Sequence, residues 1–156
     1  VVMRVAVRNM NRIRMLYSSE IAGSVVRNLA SDFLQMIDDR GEAFSNQGSN
    51  FILFLPGFDI PHANELYEQI RSHCSAGILT GDMVIPVDLI GGAVLLPDEL
   101  LTTPGEILQA TVFTIEVAST SNRNKLAFYA TPGAIGQGDD ARGIIRRIHH
   151  DCVMDH

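Results

Sequence analysis

Residues 18–38 place apolar side chains at Ile21, Val25, Val26, Leu29, Phe33, Leu34 and Ile37, a spacing that keeps them on one face of a long helix. Its neighbours limit how that face can be buried. The β-rich stretch 2–8 precedes it, Asp38-Asp39-Arg40-Gly41 ends it, and two short strands at 42–46 and 50–55 follow, joined by a tight turn whose glycine is Gly48. A helix of this length between one strand and a hairpin needs a sheet to lie against.

The remaining segments continue the alternation. Pro56-Gly57 closes the hairpin, and residues 61–73 read as a second helix with Ala63, Leu66, Tyr67 and Ile70 inward. After a polar break at 75–82, Met83 to Leu96 reads as one long strand that Pro86 and Gly91-Gly92 bend. Thr102-Thr103-Pro104-Gly105-Glu106 has a threonine cap, an early proline and a first-turn carboxylate, and so starts a helix running to about Ala118. Lys125–Ala130 makes a last strand. The order β-α-β-β-α-β-α-β predicts an α+β fold, the ferredoxin-like split βαβ sandwich with one further helix and strand. Helices on one face of a central, mostly antiparallel sheet would follow. Pro132 to Gly138 reads as a linker, and 139–150 as a short helix with Ala141, Ile144, Ile145 and Ile148 at helical spacing.

Composition narrows the function classes. At 156 residues and 46% hydrophobic, with mean hydropathy +0.13, the chain can bury a core without disulfides. The absence of Trp, 6% aromatic residues and a net charge of −6 weigh against a nucleic-acid partner. The charge is uneven, however. Residues 1–30 hold Arg4, Arg8, Arg12, Arg14 and Arg27 against Glu20, a local +4, which leaves −10 for the remainder. That segment either binds a compact anion or is a row of solvated arginines beside a strand. Cys74 and Cys152 suggest no disulfide framework, so a cytoplasmic setting is expected. No run is long enough to span a membrane, and no membrane contact is expected of these residues. The abrupt start on an apolar strand reads as a piece of a longer protein, whose parent could be anchored in an inner membrane.

One short stretch carries a specific resemblance. Gln47-Gly48-Ser49-Asn50-Phe51 before Ile52-Leu53-Phe54-Leu55 resembles the signature turn of the GGDEF family of diguanylate cyclases, Gly-Gly-Asp/Glu-Glu-Phe before an apolar strand. Gly48 and Phe51 are kept. Gly23, Gly91 and Asn122-Arg123-Asn124 resemble further family landmarks in the same order over about 130 residues, so 1–131 is similar to a degenerate GGDEF domain of nucleotidyl cyclase-like fold, with 132–156 leading to a following module. The resemblance implies that the family's metal-binding aspartate falls at Val7, its base-recognising asparagine and carboxylate at Met15 and Ser24, and its product-inhibition Arg-x-x-Asp at Asp38 and Gly41. None of these residues can do the family's work. Ser49 and Asn50 replace a carboxylate pair, and a hard divalent cation needs negative oxygen ligands. No catalytic residue, metal or cofactor is therefore expected.

Two cations stay suggestive. Arg12 falls at a phosphate-binding lysine of the family and Arg123 at the arginine of its closing motif; they either hold an anion by charge-assisted hydrogen bonds or are surface charges. Other chemistry is poorer. His149, His150, Asp151, Cys152, Asp155 and His156 form a metal-capable cluster on a helix end, where adjacent histidines rarely converge. His62 and His73 lack a nucleophile partner, and no Gly-Lys phosphate loop follows Gly91-Gly92. Three functions fit: an inactive regulator of an adjacent EAL-type phosphodiesterase, a receptor for GTP or cyclic di-GMP, and a scaffold in a membrane-associated complex. A homodimer is compatible with each.

Overall fold

The computed structural model describes residues 1–46, 48–120 and 124–129. Five strands form the main sheet in the order β2-β3-β1-β6-β7: β1 Val2–Val7, β2 Glu42–Asn46, β3 Asn50–Phe54, β6 Leu89–Val94 and β7 Ala127–Phe128. β1 runs antiparallel to both neighbours, with Arg4 opposite Ile52 on β3 and Gly92 on β6, and only the β6–β7 pair is parallel. The expected mostly antiparallel α+β sheet is present.

Side-chain alternation divides the sheet into two faces. Met3, Val5 and Val7 join Val25, Leu29 and Phe33 of α2 (Ser19–Ile37) and Leu66, Tyr67 and Ile70 of α3 (Ile60–Ala76) in one core. The opposite face meets α4 (Pro104–Thr120), where Arg4 Nε donates to Thr111 Oγ1 at 3.0 Å. Helices therefore lie on both faces, not on the one face expected. The reason is on β6, where every residue is buried. A Cβ at Gly91 would strike the Tyr67 ring, and one at Gly92 would strike Thr114 Oγ1. The glycine pair admits α3 and α4 from opposite sides. Its role is close helix approach rather than a bend.

Local signals account for most helix ends. Ser18 Oγ caps α2 by accepting from Ile21 N at 3.1 Å, and Asp59 Oδ1 caps α3 through His62 N at 2.9 Å. At α4, Thr103 Oγ1 accepts from Glu106 N while Glu106 Oε1 accepts from Thr103 N, both at 3.2 Å, which is a reciprocal capping box. The bond from His62 N holds the Asp59 carboxyl below the usual carboxylate range, and the hydroxyls of Thr103 and Thr102, which donate to Glu106 Oε1 at 3.0 and 3.1 Å, do the same for Glu106.

Three segments differ from expectation. α1, Met10–Leu16, had no sequence assignment; it buries only Met10 and Ile13, too few positions to show a period. The single strand expected at 83–96 is two. Met83–Ile85 (β5) pairs with Ile78–Thr80 (β4) in a separate hairpin around Gly81, φ 62°, inside the stretch read as a polar break. Pro86, without an N–H, ends it. The last strand is Ala127–Phe128, shorter than the 125–130 expected. The linker and helix expected beyond Pro132, with the His/Cys cluster, lie outside the described residues. Among the described residues no helix is long and apolar enough to cross a membrane.

Candidate functional site

The end of β1, the turn before β3 and the start of α1 come together at one end of the sheet. Val7 N donates to Ser49 O at 3.0 Å, and Ala6 lies opposite Asn50 in register. Val7 itself is buried and belongs to the core shared with α2 and α3. Gly48 has φ 75°, and a Cβ there would meet nothing within 4 Å. Its glycine is thus required by the left-handed backbone of the turn and not by a crowding neighbour. Phe51 is buried, its ring edge-on to Phe33 at 4.9 Å and 83°. Gln47 lies outside the described residues.

α1 presents polar and apolar groups to solvent beside this turn. Arg12 is exposed and makes no hydrogen bond or ion pair among the described residues. Arg14 donates to Asn11 at 2.9 Å, and Met15 is 87% exposed. Ser24, half-buried on α2, accepts from Arg27 Nη2 at 2.9 Å, so its hydroxyl already has a cationic donor. Arg123 lies outside the described residues.

The structure adds residues the sequence did not single out. Arg8 pairs with Asp88 at 3.0 Å, Asn9 Nδ2 donates to Pro86 O at 3.1 Å, and Asp88 N donates to Asn9 Oδ1 at 3.0 Å. These bonds fasten the exit of β1 to the entry of β6. The partners lie about eighty residues apart in the chain, so no local pattern announces them. The Arg8–Asp88 pair also commits the acid nearest in sequence to β6 to a structural partner. Among the described residues no three of His, Cys, Asp and Glu are placed to hold a metal ion.

A cleft lies elsewhere among the described residues. About 1020 Å³ in volume, it opens at the other end of the β2–β3 hairpin among Asp39, Arg40, Glu42, Phe58, His62 and Glu65. Arg40, its one arginine, donates to the carbonyls of Ile37 at 3.2 Å and Met36 at 2.6 Å, closing the end of α2, and sits 5.8 Å from the Phe58 ring. Asp39, Glu42 and Glu65 make its lining unfavourable for phosphate. At Gly41 a Cβ would collide with the Phe54 carbonyl, so no side chain fits there without backbone movement.

Among the described residues, Cys74 and Tyr67 are poor nucleophiles. Burial pushes the Cys74 thiol to about 12, with Asp32 adding to the rise, and burial likewise pushes Tyr67 to about 12. His73 Nε2 meets Asp32 Oδ2 at 2.9 Å and ties α3 to α2, and the His62 ring meets Asp59.

No family model matches the sequence, and a search of curated proteins finds no match either. Solved structures do match. An active GGEEF domain of a diguanylate cyclase from Vibrio cholerae aligns with a TM-score of 0.66 at 19% identity, covering 83% of this chain and 82% of that one. The chain has the fold of a GGDEF domain. An EAL/GGDEF domain protein from M. capsulatus aligns at 0.71 and 16%, covering 83% of each chain. The GGDEF domain of DgcB from Caulobacter crescentus, in complex with c-di-GMP, aligns at 0.66 and 13%, covering 81% of this chain and 75% of that one. At these identities the likeness is one of architecture.

Within that architecture, the site expected by resemblance falls where β1 meets the hairpin turn, and its donor set can be tested against the Mg²⁺ the family uses. Val7 offers hydrocarbon, Ser49 a hydroxyl and Asn50 an amide. A hard, doubly charged ion with a rigid octahedral shell needs carboxylate oxygens to leave water. These three residues do not fit it.

Proposed function

We propose that the chain is a catalytically inactive GGDEF-like regulatory domain in bacterial cyclic di-GMP signalling, acting on an adjacent module such as an EAL-type phosphodiesterase. The observation that carries the reading is the buried Val7 beside a turn bearing Ser49 and Asn50. Joining two GTP molecules requires a cation to offset triphosphate charge and to aid deprotonation of a 3′-hydroxyl. Three neutral groups supply neither. The domain then acts through its surface, and residues 132–156 serve as the connector to the module it controls. A solved relative of the same fold is an EAL/GGDEF domain protein, which gives this pairing a precedent.

A second reading, a receptor that binds GTP or cyclic di-GMP without turnover, is favoured by one observation: Arg12, on the helix that follows β1, is exposed with no described partner. Arg123 would be its second cation. The DgcB domain is seen in complex with c-di-GMP.

Hydrolysis of cyclic di-GMP by an EAL module, measured alone and fused behind this domain, separates the readings. A several-fold change in rate without added GTP, kept in Arg12→Ala, is expected. Equal rates until GTP is added, or a change with cyclic di-GMP concentration that Arg12→Ala removes, would favour the receptor. Equal rates under every condition would contradict both.

A further inference from the structure

α1 buries Met10 and Ile13 and turns its other side chains outward. Met15 is 87% exposed, Leu16 69% and Tyr17 38%, so three consecutive large apolar residues stand in water. Arg12, Met15 and Leu16 lie three and four positions apart and share one face of the short helix. Scattered exposed apolar residues are ordinary, but a contiguous group bordered by charge marks an interaction site.

The charge around this tip is accessible. Between Asn9 and Ser31 the charged residues are Arg12, Arg14, Arg27 and Glu20, all of them exposed. Arg12 makes no hydrogen bond or ion pair among the described residues. Arg14 and Arg27 donate to neutral oxygens, Asn11 Oδ1 and Ser24 Oγ, each at 2.9 Å. Three guanidiniums therefore keep their full charge against one carboxylate, while Arg8 is committed to Asp88.

The rest of the chain is charged the other way. α1 follows the exit of β1, whereas α2 ends, β2 begins and α3 starts at the opposite end of the sheet. That end holds Asp38, Asp39, Glu42, Asp59 and Glu65 against Arg40. The length of β1 separates the two ends by about 18 Å, roughly twice the Debye length at physiological ionic strength. Facing an extended anionic surface, this polarity brings α1 forward and leaves the acids screened behind it.

A protruding apolar tip bordered by arginines fits a surface that yields to it. A bilayer of anionic lipid offers phosphates to the guanidiniums, an acyl boundary to Met15 and Leu16, and the interfacial depth at which tyrosine rings settle. We propose that α1 is a peripheral contact to an anionic lipid bilayer, with Met15 and Leu16 entering the headgroup region, Arg12 and Arg14 meeting lipid phosphates, and Arg27 adding to the field. Such a contact needs no spanning helix, and it rests on neither nucleotide reading of the domain.

Co-sedimentation of the 156-residue chain, without nucleotide, tests the contact on vesicles of phosphatidylglycerol and phosphatidylcholine in equal parts and of phosphatidylcholine alone. The chain should partition onto the mixed vesicles and far less onto phosphatidylcholine. Arg12→Ala and Arg14→Ala should each weaken the partition about fivefold, and Met15→Ser combined with Leu16→Ser should weaken it at least as much. All four positions are exposed, and circular dichroism checks that the variants stay folded. Phe44→Ser, which removes an exposed ring on β2, should partition like the parent. No partition onto the mixed vesicles at millimolar lipid overturns the proposal. So does partition indifferent to the α1 variants, because another segment would then make the contact, and so does equal partition onto phosphatidylcholine. Arginine-dependent binding that ignores Met15→Ser and Leu16→Ser and is matched by soluble polyglutamate would assign the tip to an acidic protein and overturn the bilayer contact.

Discussion

Val7→Asp, the substitution that returns the family's metal-binding side chain, is expected to destabilise the chain by about 3 kcal/mol or more at neutral pH. Val7 is packed in the core with Met3, Val5 and residues of α2 and α3, and the neighbouring turn offers only neutral groups to a buried carboxylate. The loss should depend on pH in a defined direction. Burial raises an aspartate's folded-state pKa above its unfolded value of about 3.9. The variant is therefore least destabilised below that value, and the deficit grows as pH rises toward the folded pKa. Urea unfolding at acidic and neutral pH, with and without Mg²⁺, measures both effects. A variant as stable as the parent at neutral pH, or one whose midpoint rises markedly with Mg²⁺, would show that the position already faces a competent cation site.

Phe51→Ala should be comparably severe, costing about 3–5 kcal/mol. Phe51 is the one aromatic kept from the signature turn, and its ring packs edge-on against Phe33 within the main core. Truncation removes the buried ring and an edge-to-face contact of about 1 kcal/mol. Ser49→Ala is the matched control at the same turn. What fastens Ser49 to β1 is its carbonyl, bonded to Val7 N, so losing the hydroxyl should change stability by no more than about 0.5 kcal/mol. Thermal or urea melts of the two variants measure the contrast. Equal and small effects would mean that Phe51 does not anchor the hairpin.

What the sequence disclosed, and what it hid, follows from the range of the interactions involved. α2 was legible because Val25, Leu29, Phe33 and Ile37 recur at four-residue steps, although Leu34, expected on the same face, is exposed, and α4 because its capping box lies within four residues. The β2–β3 hairpin was legible from Gly48 between two apolar-rich runs. α1 was not, since two buried residues in seven set no period. The β4–β5 hairpin was hidden because Leu79 and Val84 are exposed on its outer side and Thr80-Gly81-Asp82 looks like a loop. Gly91 and Gly92 looked like a bend until helices were found on both faces. At the site, the meeting of Val7 with Ser49 was anticipated only through family resemblance. The ties from Arg8 and Asn9 to Pro86 and Asp88 depend on residues distant in the chain and left no local trace.

Absence of the family's reaction is the claim on which the functional reading stands, and turnover tests it directly. The purified chain, incubated with GTP and saturating Mg²⁺ and analysed for cyclic di-GMP, should give no product above an enzyme-free blank at any protein concentration. Magnesium-dependent formation of cyclic di-GMP, rising in proportion to added protein, would contradict the account.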